Sequence, residues 1–121
     1  MAGLFSGTYR LKTDPKNKIK LIDNGKGKLK GAWTVKTKDG RLSIPVKGTY
    51  LQSGQSAQGD WVVTISGTGM TKRKKLVVAV SLSGYIDNRP QRIFASVAKA
   101  ETIDTGGGKQ ESAKEHQIYD R

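Results

Sequence analysis

Cysteine is absent from this 121-residue chain, which excludes disulfides, a thiolate nucleophile and any zinc site built on thiolates. Histidine occurs once, at His116, near the end of the chain. A Ser–His–Asp arrangement would have to recruit that residue back onto the body, and an ordinary surface histidine is the simpler reading. Acidic residues are scarce: 10 Asp and Glu stand against 22 Lys and Arg. Asp14, Asp23, Asp39, Asp60 and Asp87 fall in turns, where a carboxylate commonly accepts a nearby backbone N–H. Paired catalytic carboxylates are therefore not expected, and no acidic loop has the spacing of an EF-hand. No apolar run approaches the ~18 residues of a membrane span. Residues 1–10 lack the apolar stretch of a secretory signal, and glycine stands at position 3, so N-myristoylation is not indicated. These absences argue against an enzyme, a metal or other cofactor, and a membrane partner.

Glycine is plentiful, with 15 residues. The segments Gly25-Lys26-Gly27-Lys28 and Gly67-Thr68-Gly69-Met70 lack the third glycine of a dinucleotide fingerprint. Gly106-Gly107-Gly108-Lys109 is followed by Gln110, not the Ser or Thr of a phosphate-binding P-loop. These read as turns and a linker.

The dominant hydrophobic period is two, the mark of half-buried strands. Strands are expected at about 4–11, 18–23, 28–38, 41–51, 60–66, 75–86 and 91–103. Asn24-Gly25, Asp39-Gly40 and Asp87-Asn88-Arg89-Pro90 supply turn chemistry between them. About seven strands at this spacing predict an all-β domain over residues 1–104, a small antiparallel barrel or sandwich. Beyond it, Thr105-Gly106-Gly107-Gly108 reads as a flexible joint. Residues 105–121 then form a mobile tail, with a possible short helix at 110–119, that docks on a protein partner or on the body.

A two-residue Asp39-Gly40 turn would oppose Val35 to Ile44, Trp33 to Val46 and Gly31 to Gly48 on one face. A bulged turn at 24–26 would oppose Leu21 to Leu29. The other face of three adjacent strands then carries Lys18, Lys20, Lys28, Lys30, Lys36, Lys38, Arg41 and Lys47 with no acid among them. Like charges opposed across strands destabilise a sheet, so a polyanion is the partner that accounts for them, because bound cations displace the counterions of phosphates. Solubility and edge protection are the plainer alternative. Lys72, Arg73, Lys74 and Lys75 form a second basic site at a strand tip, and Arg89 and Arg92 a third. Trp33 and Trp61 point inward, whereas Tyr9 and Tyr85 fall on the outward parity and are candidates for stacking on bases.

Charge is uneven along the chain. Residues 1–50 hold 12 Lys and Arg against 3 acids, and residues 101–121 hold 3 against 5. The expected function is non-catalytic, largely sequence-independent binding of DNA or RNA through phosphate contacts. The expected location is inside the cell, in cytoplasm or nucleoid, or in a virus particle. The alternative is a structural assembly protein, virion or capsid-like, whose sheet edges and tail join subunits into a homo-oligomer. A third reading is a small-ligand barrel around Trp33 and Trp61.

Overall fold

Residues 5–52, 61–88, 91–104 and 109–121 are described by a computed structural model. Eight strands make up the fold: β1 (Gly7–Leu11), β2 (Asp14–Asp23), β3 (Lys28–Thr37), β4 (Gly40–Gln52), β5 (Trp61–Met70), β6 (Val77–Asn88), β7 (Gln91–Asp104) and β8 (Lys109–Asp120). Each pairs antiparallel with the next, and β1 also pairs with β8, so the sheet closes into an up-and-down barrel. The seam is short: β1 meets β8 at Arg10–Asp120 and Leu11–Tyr119, and among the described residues the rest of the β8 edge has no β1 partner. No helix occurs among the described residues.

The alternation seen in the sequence is the wall itself. Ile19 and Leu21 on β2, Trp33 and Val35 on β3, and Ile44 and Val46 on β4 are buried in the interior. They meet Val63, Ile65, Val78, Val80, Leu82, Ile93, Ala95 and Val97 from the far side. Trp33 meets the edge of Tyr119, with ring centroids 6.0 Å apart and planes at 88°. Asn17 Oδ1 accepts the Trp33 Nε1–H at 3.1 Å, which satisfies the indole's one donor in the interior.

The expected tail is corrected by the fold. Residues 109–120 form β8, paired along its length with β7 and, at Tyr119 and Asp120, with β1. The segment has few apolar residues, so its own pattern does not announce a strand. Its conformation is set by the two neighbours whose edges it covers, and by Tyr119, which is fully buried against Trp33. The Gly106–Gly108 joint lies outside the described residues.

Both expected hairpin registers are corrected as well. Thr37 pairs with Gly40, Val35 with Leu42, Trp33 with Ile44 and Gly31 with Val46. Lys38 and Asp39 are the turn, and Gly40 takes φ +90° directly after it. That is a tight turn with a glycine bulge, whereas the expected Asp39-Gly40 loop would need positive φ at both residues. Between β2 and β3, Leu21 faces Gly31 instead of Leu29. In each hairpin the error is a slip of two residues, which keeps parity, so the inward and outward sets survive. Gly31 and Gly48 are not partners, yet each marks a close approach. A Cβ on Gly31 would overlap the Lys20 carbonyl oxygen, and one on Gly48 that of Thr64. Only glycine admits so tight a coil at those inward positions.

The lower end, beneath the 24–27 turn, is sealed. Asp23 is buried and accepts hydrogen bonds from the Phe5 N–H at 3.1 Å, the Gly25 N–H at 2.8 Å and the Tyr50 hydroxyl at 2.7 Å. Phe5, Tyr50 and Trp61 pack edge to face across it. Burial, with the Asp23 carboxylate beside it, raises the Tyr50 pKa.

Candidate nucleic-acid interface

Outward positions of β2, β3 and β4 bring eight cations onto one wall. Lys16, Lys20, Lys28, Lys30, Lys36, Arg41 and Lys47 are exposed, and Lys18 is half-buried. Lys30 stands directly opposite Lys47, and Lys36 directly opposite Arg41. Arg41 reaches Asp14 at 3.3 Å. Among the described residues, no carboxylate oxygen lies within 4.0 Å of Lys18, Lys20, Lys28, Lys30, Lys36 or Lys47. A shallow trough of about 610 Å³ runs beside the Lys30–Lys47 pair, lined also by Lys28, Asn24 and Thr49. A second, of about 660 Å³, lies on the pair's other flank over Pro45 and Gly67. Ile22, half exposed beside Lys30, is shared by both.

The basic strand tip joins this wall at its upper end. Thr71 and Leu76 close the loop: their main chains bond at 2.9 Å, and the Leu76 N–H also donates to the Thr71 hydroxyl at 2.9 Å. Lys75 takes φ +53° to make the turn. The Lys74 N–H donates to Asp39 Oδ2 at 2.9 Å, and its ammonium donates to the Lys38 carbonyl at 3.4 Å. The loop is thereby docked on the 38–39 turn, one residue beyond the end of β3, close to the Lys36–Arg41 pair. The Lys74 amide, the Thr71 hydroxyl and the nearby charges of Arg73 and Lys74 hold the Asp39 carboxyl below the ordinary carboxylate range. Lys72, Arg73, Lys74 and Lys75 are all exposed.

Strand β7 braces the same turn from behind. Glu101, buried, accepts the Lys38 N–H at 3.2 Å. Lys99 donates to the Lys36 carbonyl at 2.9 Å and lies 3.5 Å from Glu101.

Other candidate residues are placed elsewhere. Lys38 sits in the turn instead of on the sheet face. Tyr9 is fully buried and donates to the Phe5 carbonyl at 2.8 Å; burial pushes its pKa up to about 12. Its outward assignment fails because β1 begins at Gly7, not at residue 4, and inward parity runs through Tyr9 and Leu11. Tyr85 does point outward, but from β6, stacked on Phe94 at 5.1 Å, with β5 between it and the basic wall. Arg92 is bound to Asp120 at 2.5 Å, and Arg89 lies outside the described residues. Two strand cations escaped the sequence reading: Lys16 is exposed on β2, and Arg10 is exposed on β1, directly opposite Lys18. The alternation of Tyr9, Arg10 and Leu11 carries the Arg10 signal once the strand start is known.

Trp33 and Trp61 both lie within the barrel's own packing, Trp33 against Tyr119 and Trp61 between Phe5 and Tyr50. Among the described residues no three His, Cys, Asp or Glu groups gather to hold a metal ion. No helix among the described residues is long and apolar enough to cross a membrane. The chain matches no model of a known protein family and no curated protein.

Proposed function

We propose that this barrel binds nucleic acid without catalysis, gripping the phosphate backbone along the outer wall of β2–β4 and with the 71–75 loop. The observation that carries the reading is the two pairs of opposed cations, Lys30 with Lys47 and Lys36 with Arg41, on a wall where, among the described residues, only Arg41 has a carboxylate partner. Such pairs lower the stability of the isolated barrel. A row of phosphates turns that repulsion into attraction and releases its own counterions. No aromatic side chain among the outward residues of this wall offers a stacking platform, which favours backbone contacts over base readout. The 71–75 loop adds a second line of charge at one end of the wall, so the backbone would be held along the strands and capped at the upper turn.

The test is an oligonucleotide titration at several salt concentrations. Binding through several phosphates gives a linear fall of log affinity with log salt, with a slope near −0.9 per contact on duplex DNA and −0.7 on a single strand. Replacing Lys28, Lys30 and Lys47 with Gln is expected to reduce that slope by about 2 to 3. An absence of binding at low salt, or an unaltered slope in the triple variant with the fold intact, overturns the reading.

A further inference from the structure

We infer that the opposite wall, the outer face of β5, β6 and β7, is an interface with a second copy of this chain. Through that wall the outward positions are Val62, Thr64, Ser66, Thr68 and Met70 on β5, then Val77, Ala79, Ser81, Ser83 and Tyr85 on β6. None is charged, in a chain where 26% of residues are. On β7 the same holds from Phe94 to Thr102. Solvation alone does not select for such a block, because a solvated β face tolerates Lys and Glu at any outward position.

The block also carries an unbroken apolar line. Leu51 pairs with Val62, Val62 with Tyr85, Tyr85 with Phe94 and Phe94 with Ile118, so five strands present one apolar row to solvent. Leu51 is 77% exposed, Val62 51% and Tyr85 43%. At the other end of the wall Met70 faces Val77, both about half exposed. Ser66 and Ser81 form the middle row of β5 and β6, with Lys47 and Lys114 at its two borders. The arrangement is an apolar and small-residue patch with a charged rim, as in protein interfaces.

A second copy fits this patch for two reasons. The wall is symmetric about its Ser66–Ser81 row, so a two-fold axis along that row lays Val62 and Tyr85 of each copy over Met70 and Val77 of the other. That meets the self-complementarity an isologous dimer requires. Two chains of net charge +12 also keep Lys20, Lys28, Lys30 and Lys36 on strands outside this contact, although Lys47 and Lys114, at the two ends of the row, each meet their own counterpart. The face of β5–β7 is three strand widths, roughly 14 Å, across, and Val62 to Met70 spans about 27 Å. Pairing two such faces buries roughly 800 Å², the size of a weak, reversible association.

Sedimentation equilibrium of the full chain, freed of nucleic acid by nuclease and run in high salt, reads the state directly. The expected mass is twice the 13.1 kDa of one chain. Val62→Lys and Tyr85→Lys, each checked for a folded barrel by circular dichroism, are expected to halve it, and Ser81→Arg at the centre serves if either fails to fold. Replacing Lys30 and Lys47 with Gln is expected to leave the dimer intact. A wild-type chain that stays at 13.1 kDa, a dimer that survives charges at positions 62, 85 and 81, or one that dissolves on loss of Lys30 and Lys47 overturns the inference.

Discussion

Two walls of one barrel, β2–β4 and β5–β7, share an interior and differ in almost everything they show to solvent. Inside, both are lined by buried aliphatic side chains, Leu21 and Ile44 on one wall, Ile65 and Leu82 on the other. Outside, the first carries lysines directly opposed across strands, while the second carries Ser, Thr, Ala and an apolar row. The strand period of two makes this independence possible: alternate residues build the core, and the rest are free of it. The outer set can therefore specialise without disturbing the fold. What it cannot escape is local electrostatics, and the two walls meet that constraint in opposite ways.

Trp33 is the place to break both walls at once. It is the largest fully buried side chain and touches Tyr119 from the strand that closes the barrel. Trp33→Ala is expected to cost about 3–5 kcal/mol of stability, read as a lowered urea midpoint. Amide exchange should show β3 and β6 opening together, because one interior supports both. Separate opening of the two walls would mean that they are independent units joined by the chain.

Charge reversal separates them. Lys47→Glu turns a like-charged pair with Lys30 into an opposite-charged one, and is expected to stabilise the free protein by roughly 0.5–1 kcal/mol while weakening oligonucleotide binding. Ser81→Glu, at the matching outward position of the other wall, is expected to leave oligonucleotide affinity much closer to wild type. Thermal melts with and without oligonucleotide check both. A destabilised Lys47→Glu protein would show that the lysine wall carries no repulsive cost in the free state, and the main support for backbone binding would go with it.

The contrast between the walls was half legible in the sequence. The all-β class, the inward Trp33 and the outward lysines of β2–β4 follow from alternation alone, and they survive a wrong register because both hairpin errors preserve parity. The uncharged wall was equally present in the letters from Val62 to Ala100, yet a run of Ser, Thr and Ala reads as unremarkable until cross-strand pairing lines up Leu51, Val62, Tyr85, Phe94 and Ile118. Those five residues are scattered over most of the second half of the chain, and only a register joins them. β8 was hidden for a similar reason. Its segment has Tyr119 and Ile118 but little else apolar, and what makes it a strand is the pair of open edges on β7 and β1. The docking of the 71–75 loop on Asp39 is a tertiary contact between turns 35 residues apart, which no local pattern reports.

That docking gives the finest test of the basic wall, because it joins the loop's cations to those of the strands through a single carboxylate. Asp39 accepts the Lys74 amide, and its pKa in the folded protein is depressed, first by that hydrogen bond and then by Thr71 and the charges of Arg73 and Lys74. A depressed carboxylate pKa stabilises the docked loop above the unfolded value of about 4, and the contribution disappears as pH falls through the lower folded value. Exchange protection of the Lys74 amide is therefore expected to hold from neutral pH through mild acid and to be lost only in acid below the ordinary carboxylate range, while the β3 and β4 amides remain protected. Asp39→Ala should release the loop at every pH. It should also weaken oligonucleotide binding by only a fewfold, since the lysines of β2–β4 stay in place. A loop that remains protected in Asp39→Ala would show that Thr71 and Leu76 hold it without the carboxylate, and the two basic segments would then have to be treated as separate contacts.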